Sequence, residues 1–121
     1  IASLAGRVVI MMPHERRRFS ERVDCVTSPG FGAGGDWRGR VGLPGGGPCA
    51  IITTLGTLSF DRETKEARLA TYHPGVSPDD IREQTGWPLR ISADVRETPR
   101  PTEEELAIIR EYDPAGFWTR P

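Results

Sequence analysis

The sequence predicts a small α/β or α+β unit, and three observations carry that prediction. Its apolar runs are about five or six residues long, the length of strands and too short for core helices. Two segments carry complete helix-start signals. Strands come first and then alternate with helices, with no internal repeat and no heptad. At 121 residues the chain suffices for one small domain or a piece of a larger one.

Val8-Val9-Ile10-Met11-Met12 is a continuous apolar run, which predicts a strand buried on both faces and stopped by Pro13. The polar, Arg-rich segment His14 to Arg22 has room for a short helix. Val23, Cys25 and Thr27 alternate with Asp24 and Val26, which predicts a second strand over 23–27. A Gly-rich loop, residues 28–48, follows; nine of the fourteen glycines fall between Gly30 and Gly47. Cys49 to Thr54 and Thr57 to Phe60 read as strands, and Asp61 to Lys65 as the polar turn of a hairpin into Ala67 to Tyr72. Ser77-Pro78-Asp79-Asp80 supplies an N-cap, a proline at the first helical position and two carboxylates at the positive helix end, with Gly86 as the stop. Leu89-Arg90-Ile91 is a short strand. Thr102-Glu103-Glu104-Glu105 is a capping box that opens a helix through Leu106, Ile108, Ile109 and Tyr112, ending at Asp113-Pro114.

Lys and Arg total 16 against 17 Asp and Glu, a net charge of −1, so no global field favours nucleic acid or an anionic membrane. The balance is uneven, with seven Arg against four acids in residues 1–40 and nine bases against thirteen acids in 61–121. No stretch approaches the ~18 apolar residues of a membrane span, and Ile1 to Gly6 lacks the features of a signal peptide. The expectation is a cytoplasmic protein without membrane or nucleic-acid partners. The chain starts close to a strand and without Met, so an incomplete chain is expected. Cys25 and Cys49 are expected to be small packing residues. A zinc site needs about four N or S ligands, so no metal is expected.

His14-Glu15-Arg16-Arg17-Arg18 follows directly on a strand end, where α/β proteins place functional groups, and its cations suit a phosphate. The alternative is a solvated turn. The Gly-rich loop offers uncrowded backbone N–H groups, as anion and acyl-oxygen cradles require. Gly30, Gly32 and Gly35 are not followed by an apolar helix, however, so they do not form a dinucleotide motif. There is no GxSxG and no assembled nucleophile. Glu103 to Glu105 are explained by the helix dipole, and His73 reads as a structural residue at a strand-to-helix junction.

Four strings, in order, resemble a known family. They are Val8-Val9-Ile10-Met11-Met12-Pro13-His14 with its basic sequel; Val26-Thr27-Ser28-Pro29-Gly30-Phe31 followed by Arg40-Val41-Gly42-Leu43-Pro44-Gly45; Ile51-Ile52-Thr53-Thr54-Leu55-Gly56-Thr57-Leu58-Ser59-Phe60-Asp61; and Tyr72-His73-Pro74-Gly75-Val76-Ser77-Pro78-Asp79-Asp80-Ile81. Together they resemble the C-terminal half of the small (B) subunit of class I coenzyme A transferases, nearest to the glutaconate type. The resemblance covers roughly residues 1–95.

The resemblance implies part of a three-layer α/β fold with a mixed sheet, joined by the long Gly-rich loop. Residues 1–121 would form the C-terminal part of a single B-subunit domain. The implied activity moves CoA between carboxylic acids through a glutamyl-CoA thioester. The substrate is a CoA thioester, no cofactor is tightly bound, and a CoA-transferase A subunit is the partner. The family's nucleophilic Glu and its oxyanion motif would lie outside this chain, since no Glu here is followed two residues later by Gly. Gly32-Ala33-Gly34-Gly35-Asp36-Trp37 imitates the oxyanion motif but stands on the wrong side of Met12-Pro13-His14. His14, Ser28, Pro29 and Gly30 are the residues expected to line the substrate site. Pro13 departs from the family's polar or acidic residue and could shift that turn. A CoA-ester hydrolase on the same scaffold and a non-catalytic interaction module are the alternatives.

Overall fold

In a computed structural model describing residues 1–119, five strands form one mixed sheet in sequential order. β1 (Val8–Met12) runs parallel to β2 (Pro48–Thr53). β2 is antiparallel to β3 (Gly56–Phe60), and β3 is antiparallel to β4 (Ala67–Tyr72). β4 runs parallel to β5 (Arg90–Glu97). Parallel neighbours need crossover connections; the Gly-rich loop serves the first pair and α2 (Pro78–Glu83) the second.

The antiparallel centre follows from its turns. Asp61 Oδ1 accepts the backbone N–H groups of Glu63 and Thr64, and Lys65 adopts a left-handed φ of 65°. That Asx turn closes β3 onto β4. Ser77 caps α2 by accepting from Asp80 N, and the Asp80 carboxylate accepts from Ser77 N in return. Donation from the Ser77 hydroxyl, and then from its backbone N–H, holds the Asp80 carboxyl below the usual carboxylate range. α2 drives Ile81 into the core with Leu58, Leu69, Phe19 and Leu89. Gly56 permits this closeness, because a Cβ there would stand 2.3 Å from the Thr71 carbonyl oxygen and 3.2 Å from Ile81 Cδ1.

Several expectations change. His14 to Arg22 forms no helix; the Glu15 carbonyl accepts from Arg18 N and Phe19 N, making a single turn. Phe19 is the segment's one large apolar residue, too little to support further turns, and it is buried in the core. Residues 23–27 form no strand and are exposed; β1 and β5 are the edges of the sheet, and this segment pairs with neither. β1 is not buried on both faces: it is an edge strand, with Val9 and Met11 exposed. Cys25 and Cys49 are exposed free thiols, not packing residues. α2 ends at a Gln84 cap without a glycine. Gly86 instead donates its N–H to the Phe19 carbonyl at 2.6 Å, where a Cβ would collide with that same oxygen. The strand at Leu89 to Ile91 is longer than its apolar core, running to Glu97.

The Gly-rich connection contains a one-turn helix, α1 (Trp37–Arg40), which buries Arg38. Gly32 makes room for the Trp37 ring, since a Cβ would lie 2.3 Å from it at a φ of +53°. The last helix, α3 (Glu103–Tyr112), is closed at its start by a capping box between Thr102 and Glu105. It buries none of its side chains.

Candidate functional site

β1 and β2 both end at their carboxyl side in one place, the position where open α/β sheets present ligand sites. Met11, Met12 and Pro13 from one strand and Ile52, Thr53 and Thr54 from the other line a shallow, mainly apolar cavity of about 280 Å³ there. His14 lies immediately beyond. Its backbone N–H donates to Thr54 Oγ1 at 3.1 Å, which ties the two strand ends together.

The His14 ring is 5% exposed and stacks on Phe19. Nδ1 lies 3.1 Å from Thr53 Oγ1 and Nε2 lies 3.1 Å from Thr85 Oγ1. Proton accounting assigns the tautomer. Thr53 Oγ1 accepts from Leu55 N and Gly56 N and donates its proton to the Gly56 carbonyl at 2.8 Å, so Thr53 does not decide the tautomer. Thr85 Oγ1 donates to the Ile81 carbonyl at 2.7 Å and therefore accepts from Nε2–H. His14 thus donates from Nε2 to Thr85 and is fixed between the β2–β3 turn and the end of α2. Burial pushes its pKa below the ordinary histidine value.

Ser28 and Gly30 lie elsewhere. They share a second apolar cavity of about 210 Å³ with Ala2, Ser3, Val8, Ile10, Arg38 and Pro48. This cavity meets the first half of β1, whereas His14 follows its last residue. Pro29, half-buried between Ser28 and Gly30, accepts Gly32 N through its carbonyl at 2.7 Å. The structure therefore brings three of the four expected residues together and separates His14 from them.

Arg38 was not anticipated. Its guanidinium donates to the carbonyls of Ser3, Gly30 and Pro44, each at 2.8 Å, so one buried cation gathers both ends of the loop and the N-terminal turn. Gly47 lets it lie close, since a Cβ there would stand 3.1 Å from Arg38 Cδ and Nε. Sequence offered only an arginine in a glycine-rich run, with no periodicity to mark it. Thr53 and Thr85 were missed for a similar reason: they meet His14 only through contacts 39 and 71 residues apart.

The remaining candidates are structural. Arg16 donates to the Glu83 and Thr85 carbonyls at the end of α2, while Arg17 and Arg18 pair with Glu15 at the surface. His73 is held by Thr98 Oγ1 and the Thr53 carbonyl. The Gly34-Gly35 stretch spends its amides on the carbonyls of Phe31 and Thr64. Among the described residues no group of three or more His, Cys, Asp or Glu could hold a metal ion. No helix among them is long and apolar enough to cross a membrane.

The model of the Coenzyme A transferase family matches residues 1–84, from the N-terminal turn through the end of α2. The chain belongs to the coenzyme A transferase family. Over 111 residues, 90% of this chain, it is 47% identical to the B subunit of glutaconate CoA-transferase from Acidaminococcus fermentans. Over 110 residues, 91% of this chain, it is 41% identical to the B subunit of 3-oxoadipate CoA-transferase from Pseudomonas knackmussii. Those alignments take in 41% and 42% of the respective relatives, so the chain spans about two fifths of their length. The crystal structure of glutaconate coenzyme A-transferase from A. fermentans superimposes with a TM-score of 0.87 at 40% identity, covering 98% of this chain and 46% of that one. In this coenzyme A transferase chain the His14 junction and the Ser28–Gly30 loop both fall inside the family-matched segment. β5 and α3 lie beyond it.

Proposed function

We propose that this chain is the C-terminal part of a CoA-transferase B subunit, moving CoA between carboxylic acids through a glutamyl-CoA thioester. The observation that carries the reading is the 47% identity to the glutaconate CoA-transferase B subunit across nine tenths of the chain. Glutaconate and 3-oxoadipate, for which the two relatives are named, are both dicarboxylates, and a dicarboxylic or 3-oxo acyl group is the substrate class we assign. The nucleophilic Glu and the oxyanion donors come from sequence outside these 121 residues, and an A subunit completes the assembly. A cytoplasmic location and a CoA thioester used as substrate, with no tightly bound cofactor, belong to the same reading.

Within that assembly the chain's own residues shape the surroundings of the reaction. Ser28, Pro29 and Gly30 wall the acyl side, and Arg38 keeps their loop in place. Met11 to Pro13 and Ile52 to Thr54 offer an apolar shelf suited to an aliphatic chain. His14 acts by holding that shelf to α2, not by touching substrate. Charge development at the acyl carbon is met by groups outside this segment, as covalent catalysis through a carboxylate requires.

The test is a trapping experiment on the assembled protein containing this chain. After incubation with glutaconyl-CoA or 3-oxoadipyl-CoA, borohydride or hydroxylamine should leave a mass-tagged glutamate on the B subunit. Release of free CoA with no tagged glutamate would instead identify a hydrolase and overturn the assignment.

A further inference from the structure

The chain has two histidines, and the rings of both meet Thr53. We propose that His73 is a positioning residue of the site at the strand ends: with His14 it grips Thr53 and so fixes the β2–β3 turn that walls one side of the shelf. This rests on the reading of that shelf as the place where the acyl chain lies.

The topology brings these residues to one edge of the sheet. β1, β2, β4 and β5 run in the same direction, since two antiparallel pairings separate β2 from β4. His14 follows β1, Thr53 closes β2, His73 follows β4 and Thr98 follows β5. A continuous polar row therefore runs along the four carboxyl ends. Thr85 Oγ1, His14, Thr53, His73 and Thr98 Oγ1 each stand 2.9–3.1 Å from the next.

Each histidine holds the turn twice. His14 sets its backbone N–H on Thr54 Oγ1 and its ring against Thr53 Oγ1. His73 sets its backbone N–H on the Leu55 carbonyl at 2.8 Å and its ring on the Thr53 carbonyl at 2.9 Å. A carbonyl only accepts, so His73 Nε2 carries a proton and donates it. Thr53 is 5% exposed and closes the turn from within by accepting Leu55 N and Gly56 N. Removing the His73 ring withdraws a donor from the carbonyl of a buried residue, which costs more than losing an exposed hydrogen bond.

The same turn shapes the cavity. Ile52, Thr53 and Thr54 form its β2 side and Met11, Met12 and Pro13 its β1 side. His73 is not part of that lining, so its imidazole acts through Thr53. Groups that hold a site must themselves be held, because a small misplacement of the walls is felt by what binds between them.

The experiment uses the full-length subunit assembled with its partner, with glutaconyl-CoA or 3-oxoadipyl-CoA as substrate. His73→Asn keeps an amide near Thr98 but is too short to reach Thr53. It should raise KM for the acyl-CoA about 5- to 10-fold, the worth of one hydrogen bond, with kcat within about twofold. His73→Gln places its amide where Nε2 stands and should recover most of that loss. His14→Gln reaches Thr85 but not Thr53. Combined with His73→Asn it should raise KM by less than the product of the two single effects, because both act on one residue. Hydrogen exchange supplies a readout free of activity: His73→Asn should speed the Leu55 and Gly56 amides about 10-fold.

An unchanged KM in His73→Asn, or an equal rise in His73→Gln, would overturn the proposal. Loss of the assembled protein, or a fall in kcat alone, would mark a role in folding only and overturn it too. CoA transfer by the unaltered assembly is measured alongside. Its absence removes the underlying reading, and the exchange rates then decide the grip on Thr53 by themselves. Transfer that ignores the substitutions removes only the role of His73.

Discussion

The ring of His14 lies flat on the ring of Phe19, with centroids 4.1 Å apart and planes 6° from parallel. Phe19 in turn touches Trp87, and its carbonyl oxygen accepts Gly86 N. A turn with almost no apolar content is thereby anchored to the core through one pair of rings. Phe19→Ala should cost about 3–5 kcal/mol of folding stability by urea denaturation, the range for truncating a buried aromatic residue. His14→Ala combined with Thr85→Val should cost less than the sum of the two single changes, by about 1 kcal/mol, because both remove one hydrogen bond.

Stability should also depend on pH through His14. Burial lowers its pKa in the folded chain below the ordinary value of 6.5. The folded form therefore resists a proton that the unfolded chain accepts. The contribution is complete above about pH 6.5 and is lost as pH falls through the lowered folded value. Urea midpoints measured from pH 7.5 downward should decline in this window, and His14→Gln should flatten that part of the curve. In the folded protein at neutral pH, nitrogen NMR should report a proton on Nε2; an unprotonated Nε2 would contradict its bond to Thr85, whose own proton goes to the Ile81 carbonyl.

Two glycines should be irreplaceable for reasons of space alone. A methyl at Gly56 meets the Thr71 carbonyl at 2.3 Å, and one at Gly86 meets the Phe19 carbonyl at 2.6 Å. Both obstacles are backbone, which cannot swing aside. Gly56→Ala and Gly86→Ala should each destabilise the chain by about 2 kcal/mol or more, whereas Gly6→Ala, with nothing within 4 Å, should be near neutral.

The capping box of α3 gives a local prediction. Thr102→Ala removes the hydroxyl that accepts Glu105 N. The expected loss is about 1 kcal/mol of helix stability. Because α3 buries no side chain, hydrogen exchange should accelerate in Glu103–Tyr112 while the strands keep their protection. A uniform acceleration through β2–β4 would mean that α3 is coupled to the sheet.

Local chemistry made much of this fold readable. β2 to β4 announce themselves by apolar runs separated by a turn with its own hydrogen-bond donors and acceptor. α2 and α3 announce themselves by Ser77 and Thr102. The failures share a cause. Val23 to Thr27 alternates like a strand, but a strand needs a neighbour, and this segment pairs with neither edge of the sheet, β1 or β5. The helix expected over His14 to Arg22 lacked an apolar face. At the site, His14 was legible from its place after β1 and Ser28 to Gly30 from the family-like string. That they occupy different ends of β1 was not legible, because it depends on the path of the Gly-rich loop. Arg38 sets that path by binding carbonyls, and carbonyls leave no trace in side-chain patterns.

The long connection between β1 and β2 also has a consequence in time. β2 and β3 are joined by two residues, Thr54 and Leu55, while 13–47, roughly 35 residues, must close before β1 can pair. Closing that longer loop costs about 2.5 kcal/mol more in chain entropy. The hairpins should therefore assemble first, with β1 docking onto them later. Within the sheet, the strand that leads to His14 should gain hydrogen-exchange protection last.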